Sequence, residues 1–207
     1  MLRPIVALIL AAALFLPAPL AAHLPQRGFG VQFQGGYAFP EENKHRGGPQ
    51  TGFGIFLPAG GRMSLSFEFM RWAVRSLGSP GKLYAGRIEV SPIAASLRVE
   101  FLRNQFFFPY GFAGAAYVFS RFEIGPASAV PQVRIDQKIE NGWAPYLGLG
   151  ARLALSRTLS FTSEVAYLAR TAAAQTVITD ANLGIGTEDI TANLRTVFMK
   201  LGFQARF

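Results

Sequence analysis

The 207-residue sequence has no cysteine, only two histidines and few charged residues. The absence of cysteine excludes a disulfide scaffold. Charged residues make up 15% of the chain, whereas an ordinary soluble domain has about a quarter. Hydrophobic residues make up 50%, which excludes a disordered chain because disordered segments lack apolar residues for a core. Together with a mean hydropathy of +0.26, these values predict that much of the surface faces lipid.

The first 22 residues have the layout of an export signal. Arg3 precedes an apolar run over residues 5–16, and small residues end the segment at Ala22. A charged start, an apolar middle and a small-residue end are typical of a secretory signal peptide. We predict a signal peptide over residues 1–22, cleaved at Ala22 or within a residue or two of it, and a single domain over residues 23–207.

No later segment is apolar for the length of a spanning helix, which needs about 20 residues. The longest apolar run, residues 106–119, is interrupted by Pro109 and by glycines. Apolar residues instead alternate with polar or small ones, and this period of two predicts strands with one apolar face. Seven segments show it: residues 29–39, 52–57, 63–70, 93–101, 146–155, 159–167 and 196–207. Residues 109–122 are also β-prone, although small and aromatic residues occupy both of their faces, and they make the eighth predicted strand.

The connections between these segments alternate between long and short. Short ones fall at residues 58–62, 102–108 and 156–158, and the long ones lie near residues 40–50, 75–83, 123–142 and 171–193. Short turns at one end and long loops at the other are typical of outer-membrane barrels. We therefore predict an all-β fold, a closed antiparallel up-and-down transmembrane β-barrel of eight strands.

Two details leave the strand count open. In residues 84–90 the apolar positions are even-numbered, whereas they are odd-numbered after Pro92. A β-bulge shifts parity by one residue and tolerates proline, so we predict a bulge at Pro92. A barrel of ten strands is the alternative, with a strand at Thr176–Thr179 and a break at Pro92.

The bulk of the two strand faces predicts which one lines the interior. An eight-stranded barrel is only wide enough for its inward side chains to fill it, so the apolar face must point outward; it includes Phe29, Phe33, Phe53, Phe67, Phe69, Phe161 and Phe203. The polar face then lines the lumen. Its carboxylates should pair with its cations, because an uncompensated buried charge costs several kcal/mol. The predicted network contains Glu68, Arg98, Glu100, Arg152, Glu164, Lys200 and Arg206.

Three features carry a resemblance to a known family: the signal peptide, the strand openings Pro109-Tyr110-Gly111 and Pro145-Tyr146-Leu147-Gly148, and the aromatic terminus. With them the mature chain resembles the small bacterial outer-membrane β-barrel family, the OmpA/OmpX/OmpW-like group. The resemblance implies residence in the bacterial outer membrane and insertion by the outer-membrane assembly machinery. Leu201, Phe203 and Phe207 would form the C-terminal assembly signal. We expect a monomer.

Catalytic and cofactor chemistry have little support in the sequence. Activating a serine nucleophile requires a nearby base, and the two histidines, His23 and His45, lie outside the predicted strands. Two histidines without cysteine predict no metal site, and no cofactor motif is present. We expect a protein that is not an enzyme and binds no cofactor.

The net charge of +8 indicates anionic partners. Basic residues at the predicted surface rim could bind lipopolysaccharide phosphates, since guanidinium groups bind phosphate oxygens bidentately; they are Arg71, Arg75, Lys82 and Arg87. A solvated basic rim is the equal alternative. Nucleic acid is not expected for an exported protein.

The predicted function is that of a non-enzymatic integral outer-membrane protein with a structural or surface-interaction role carried by its extracellular loops. The alternative is a narrow transport barrel for small hydrophobic compounds. Interlocked lumen charges would favour the first, and a continuous apolar cavity would favour the second.

Overall fold

The computed structural model describes residues 28–42, 45–77, 85–102, 106–124, 133–180 and 184–207. The predicted signal peptide lies outside these residues. The described chain forms β-strands throughout: β1 Gly30–Pro40, β2 His45–Arg46, β3 Gly48–Gly60, β4 Met63–Leu77, β5 Ala85–Glu100, β6 Phe107–Ile124, β7 Val133–Ile139, β8 Gly142–Ala154, β9 Leu159–Leu168, β10 Thr171–Asp180, β11 Gly184–Asn193 and β12 Thr196–Arg206. Among the described residues no helix is long and apolar enough to cross a membrane.

Eight of the strands close into a barrel. Their order is β4, β3, β1, β12, β9, β8, β6, β5, and β5 pairs with β4 to complete the ring. Every pairing is antiparallel. The first and last barrel strands are neighbours, with Gly30 opposite Arg206. The predicted fold class is therefore confirmed, with eight strands.

The two ends of the barrel differ as predicted. At one end, called here the short-turn end, lie the start of β1, the end of β12 and the turns after β3, β5 and β8. The tightest of these turns uses Gly60 and Gly61 at φ values of 99° and 56°, a region that glycine enters without strain. The opposite end is called the long-loop end.

At the long-loop end three strands continue beyond the barrel. β10 pairs with β7 on one side and with β11 on the other, forming a separate three-stranded sheet. Thr176–Thr179 belongs to β10, so it adds no pair of strands to the barrel and the ten-stranded alternative is wrong. The connection predicted over residues 171–193 is largely a β-hairpin for the same reason.

The predicted bulge at Pro92 is also wrong. The pairs Phe69 with Ile93 and Trp72 with Val90 keep one register across it, and β5 runs unbroken through it opposite β6. Even-numbered side chains of β5 point inward along its length. The apolar residues of β5 change from even-numbered to odd-numbered positions because the interior of the barrel changes from apolar to polar along the strand. The pairing register of the strand does not change.

The outward face of the barrel is an apolar band, as predicted. Phe33 is 68% exposed, whereas its neighbour Gln32 is 1% exposed. Exposed aromatic residues lie within the band and at both of its edges; those at the edges include Phe29, Phe101 and Phe207 at the short-turn end and Tyr37, Phe39, Phe119 and Trp143 towards the long-loop end. From Phe29 to Phe39 a strand tilted by about 40° rises about 25 Å, which is the height of the apolar band on outer-membrane barrels.

Candidate functional site

Four charged side chains meet in the middle of the lumen, each from a different strand. Lys200 Nζ lies 2.5 Å from Glu164 Oε2 and 3.1 Å from Glu68 Oε2. Arg98 Nη2 lies 2.8 Å from Glu164 Oε1. All four side chains are buried. Two carboxylates and two cations give this central network no net charge.

Tyrosine and glutamine side chains complete the hydrogen bonding of the two carboxylates. Tyr110 donates its hydroxyl to Glu164 Oε1 at 2.6 Å, and Tyr146 donates to Glu68 Oε2 at 3.2 Å. Gln34 donates to the same oxygen of Glu68 at 3.3 Å. Carboxylates held in this way are fixed in position as well as neutralised, because each extra donor restricts their rotation.

Aromatic rings hold the arginine of the network from both sides. The guanidinium carbon of Arg98 lies 4.0 Å from the ring centre of Tyr110 and 4.2 Å from that of Phe56. A planar guanidinium stacks on aromatic faces while it keeps its hydrogen bonds in the plane. The two rings and the contact with Glu164 therefore hold Arg98 in place across the lumen.

The other predicted network members form a second group at the short-turn end. Arg152 Nη2 donates to Glu100 Oε1 at 2.6 Å, and Arg206 Nη2 lies 3.9 Å from the same oxygen. Phe108 supports Arg152, whose guanidinium carbon lies 4.3 Å from the ring centre. The structure thus divides the seven predicted residues into a central network of four and a group of three near the short-turn mouth.

Towards the long-loop end the lumen is filled by apolar side chains, which the sequence analysis did not predict. Trp72 packs edge-on against Phe198 with ring centres 4.6 Å apart. The buried cluster around them, called here the apolar plug, includes Met70, Trp72, Val74, Ile88, Val90, Val118, Leu168 and Phe198. The even-numbered apolar residues of β4 and β5 were its signal in the sequence.

Arg170 joins the plug region to the extra sheet. Its guanidinium donates to the carbonyl of Trp143 at 3.0 Å and to that of Glu140 at 2.8 Å, and it is buried. These carbonyls lie near the junction between β7 and β8, where the ladder of the barrel gives way to the three-stranded sheet. Arg170 supplies hydrogen-bond donors to these two carbonyl groups, and it thereby connects the three-stranded sheet to the barrel wall.

Outside the barrel, above the apolar band, lies a basic surface. Arg71 and Arg87 each approach Glu89, at 3.0 Å and 3.1 Å, and Arg75 stands opposite Arg87 in the β4–β5 ladder. Lys82 lies outside the described residues. The structure adds two exposed arginines that the sequence analysis missed, Arg46 opposite Arg75 and Arg121 opposite Glu89.

The predicted assembly-signal residues lie on the outer surface. Leu201 and Phe203 point outward from β12, and the ring of Phe207 stacks on that of Phe29 with centres 5.3 Å apart. Because β1 and β12 are the strands that close the ring, these residues lie at the barrel seam.

One histidine lies close to a serine, which the sequence analysis did not expect. His45 stands opposite Ser76 in the β2–β4 ladder, and both side chains are buried. His23 lies outside the described residues. Among the described residues no three His, Cys, Asp or Glu side chains come together in a way that could hold a metal ion.

No protein-family model matches the sequence, and no curated protein matches it. Solved structures do match. The outer membrane protein OprG from Pseudomonas aeruginosa gives a TM-score of 0.70 at 17% identity, over 91% of this chain and 99% of that one. A major outer membrane protein from Thermus thermophilus gives 0.59 at 14% identity, over 87% and 100%.

The outer membrane protein AlkL, solved by solid-state NMR in lipid bilayers, gives a TM-score of 0.57 at 18% identity, over 93% of this chain and 95% of that one. At such identities the likeness is one of fold, and it extends over nearly the full length of each partner. The chain has the closed eight-stranded fold of the small bacterial outer-membrane β-barrel proteins, as the resemblance to the OmpA/OmpX/OmpW-like group implied.

Proposed function

We propose that the protein resides in the bacterial outer membrane as a non-enzymatic barrel with a closed lumen and acts through its long-loop end. The apolar band of about 25 Å with aromatic edges supports insertion in a bilayer. Closure of the sheet supports it too, because every strand then has partners on both sides for its backbone groups. The short-turn end would face the periplasm and the long-loop end the exterior.

The closed lumen is the observation on which this proposal rests. The neutral central network, including Glu68, Glu164 and Lys200, blocks the middle of the barrel. The apolar plug fills the space beyond it towards the long-loop end. An ion entering this interior would have to displace paired charges and then cross a region lined mainly by apolar side chains, which costs several kcal/mol.

Conductance across planar bilayers tests the closed lumen. The expected result is no steady channel activity, with a 16-stranded porin as the positive control because it leaves an aqueous channel. A variant with Trp72→Ala and Phe198→Ala, which thins the plug, should remain non-conducting while the central network is intact. Steady large current steps from the wild-type protein would contradict the proposal.

The role outside the cell would belong to the long-loop end. The three-stranded sheet extends the wall there with strands β7, β10 and β11, and rigid scaffolds of this kind position loops for recognition. Exposed Ile185 on β11 offers an apolar contact in this region. We propose a structural or surface-interaction role for this end.

The basic surface supports a contact with lipopolysaccharide. It lies just above the apolar band, where phosphate groups of an outer-leaflet glycolipid would be found, and Arg71, Arg75 and Arg87 point outward. Lipopolysaccharide in the vesicle should raise the urea midpoint of the wild-type protein. The increase should shrink for Arg75→Gln with Arg87→Gln and persist for the control Lys138→Gln, at an exposed lysine of β7 outside the basic surface. Equal increases in all three proteins would contradict this contact.

The absence of catalysis is part of the proposal. His45 and Ser76 are adjacent but buried in the wall, so a substrate carbonyl could not approach the serine. We expect no hydrolysis of chromogenic esters by the folded protein. Turnover that disappears in His45→Ala would contradict a non-enzymatic role.

Transport of small hydrophobic compounds is the second candidate, favoured by two observations. The lumen is apolar towards the long-loop end, and the β4–β5 ladder lacks pairs at Met70 and Pro92, between Phe69–Ile93 and Trp72–Val90. Cells that produce the protein should take up an apolar probe no faster than cells without it if the lumen is closed. Faster uptake that Pro92→Val abolishes would favour the transport candidate.

A further inference from the structure

We propose that the mouth of the barrel at the short-turn end is a binding site for a phosphate group. A cavity of about 200 Å³ opens there, lined by residues from the starts and ends of the barrel strands and from the turns after β3 and β8. The charged residues that line it are Arg62, Arg98, Glu100, Arg152, Arg157 and Arg206. This site is the open end of the lumen on the short-turn side of the central network, and it is separate from the basic outer surface of the proposed function.

The charges that line the cavity are not balanced. Among the described residues that line the cavity, five arginines stand against two negative groups, the side chain of Glu100 and the terminal carboxylate of Phe207. Arg98 is matched by Glu164 within the central network, which leaves four arginines against these two groups. The central network is neutral, so this mouth carries an excess of positive charge. Such a concentration of one sign in a partly enclosed site attracts anions.

Two buried arginine nitrogens in the cavity lining make no hydrogen bond with the described part of the chain. Arg152 is 2% exposed, and its Nη1 makes no hydrogen bond with any described residue; the same is true of Nε of Arg98. A buried charged donor without an acceptor costs free energy. An anion in the cavity would supply acceptors for these two nitrogens, which the described residues do not.

The two arginines are held in place before any ligand arrives. Arg152 is fixed by Glu100 through Nη2 and by the ring of Phe108. Arg98 is fixed by Glu164 and by the ring of Tyr110. Preorganised guanidinium groups lose little side-chain entropy on binding and present planar donors that suit phosphate oxygens.

The size of the cavity restricts the ligand. A volume of about 200 Å³ is several times the share of one water molecule, about 30 Å³, and smaller than the pockets of about 300–1,000 Å³ that hold drug-sized ligands. A phosphate with part of its hydration shell fits this range. Exposed Met63 and Phe207 lie at the edge of the same cavity. The phosphate can therefore be free in solution or belong to a lipid whose chains lie along the barrel.

Calorimetric titration of the folded full chain in maltoside detergent tests the site, with inorganic phosphate in one arm and dihexanoyl phosphatidic acid in the other. Arg152→Gln should weaken binding by about tenfold or more, because it removes a charge-assisted contact. Arg206→Gln should weaken it in the same direction. The control Arg195→Gln, at the long-loop end, should bind as the wild type does.

Glu100→Gln gives a test of opposite sign. Removal of the competing side-chain carboxylate should tighten phosphate binding by about threefold to tenfold. Because Gln keeps an acceptor for Arg152, this variant also keeps the test decisive if Arg152→Gln fails to fold.

Each outcome decides the proposal. The expected order of affinities is Glu100→Gln above the wild type, and the wild type above Arg206→Gln. Binding of inorganic phosphate in this order supports a site for a soluble anion. Binding of phosphatidic acid alone, in the same order, supports a lipid headgroup site. Absence of binding in both arms, or equal affinities for the wild type, Arg206→Gln and Glu100→Gln, would overturn it.

Discussion

Replacement of Lys200 by methionine perturbs the central network most directly. Lys200 Nζ contacts Glu164 at 2.5 Å and Glu68 at 3.1 Å, and it also donates to the hydroxyl of Tyr146 at 2.7 Å. Methionine fills a similar volume without charge. Glu164 keeps Arg98 as a counter-ion, so the loss falls mainly on Glu68, which would remain buried with hydrogen bonds but without a cation.

The expected cost follows from that arrangement. Removing one partner of a buried ion pair destabilises a protein by about 3–5 kcal/mol, which is a large part of the roughly 5–15 kcal/mol of a typical domain. The double variant Lys200→Met with Glu68→Gln restores neutrality, because Arg98 and Glu164 then form the remaining pair. It should therefore be more stable than Lys200→Met alone, by about 1 kcal/mol or more.

Urea unfolding in phosphatidylcholine vesicles, followed by tryptophan fluorescence, measures these free energies by linear extrapolation. Lys138→Met, at an exposed lysine of β7, is the matched control and should change stability by about 0.5 kcal/mol or less. A cost for Lys200→Met no larger than that of the control would refute the reasoning. So would a double variant whose cost is the sum of the two single costs.

Three further variants test other parts of the structure. Arg170→Met removes two charge-assisted hydrogen bonds, so amide exchange in β10 should become at least about tenfold faster while β1 is unchanged; equal rates would contradict its role at the junction. Leu149→Arg, at a side chain 64% exposed, should cost about 2–4 kcal/mol in a bilayer, against about 0–1 kcal/mol for Leu155→Arg at the short-turn edge. Tyr110→Phe should lower the free energy of unfolding by about 1–3 kcal/mol through loss of its bond to Glu164, and an unchanged urea midpoint would count against that bond.

Much of the fold follows from period-two alternation and from bulk. Alternating stretches such as residues 29–39 mark the strands, and phenylalanines such as Phe33 are too large to share an eight-stranded interior. The same argument places Glu68, Glu164 and Lys200 inside together. Which cation meets which carboxylate does not follow, because it depends on stagger across the lumen, and the sequence pattern carries no information on stagger.

The apolar plug shows why part of the interior was missed. On β4 the outward positions Arg71 and Arg75 are charged while inward Trp72 and Val74 are apolar, the reverse of the arrangement lower on the same strand. If each strand is assumed to have lipid outside and a polar lumen inside along its whole length, this reversal is mistaken for a shift of register. The strand keeps its register and extends past the apolar band, where its outer side is polar and its inner side forms a core.

The extra sheet was missed for a related reason. Strand β11, Gly184–Asn193, has no alternation of the kind that marks the barrel strands. Its buried face is short, because among its described residues only Ile190 and Ala192 are buried while residues 185–189 are exposed. Long connections on a barrel can therefore contain strands that a search for amphipathic alternation does not detect.

Nitroxide scanning along β1 tests the orientation of the sheet most directly, and the chain suits it because it contains no cysteine. Single cysteines from Val31 to Phe39 would be labelled in phosphatidylcholine bilayers and their accessibility to oxygen measured. We predict maxima at odd-numbered positions such as Phe33 and Tyr37, with minima at Gln32 and Gln34. Maxima at the glutamines, or a protein that stays folded and monomeric in water without detergent, would contradict the account.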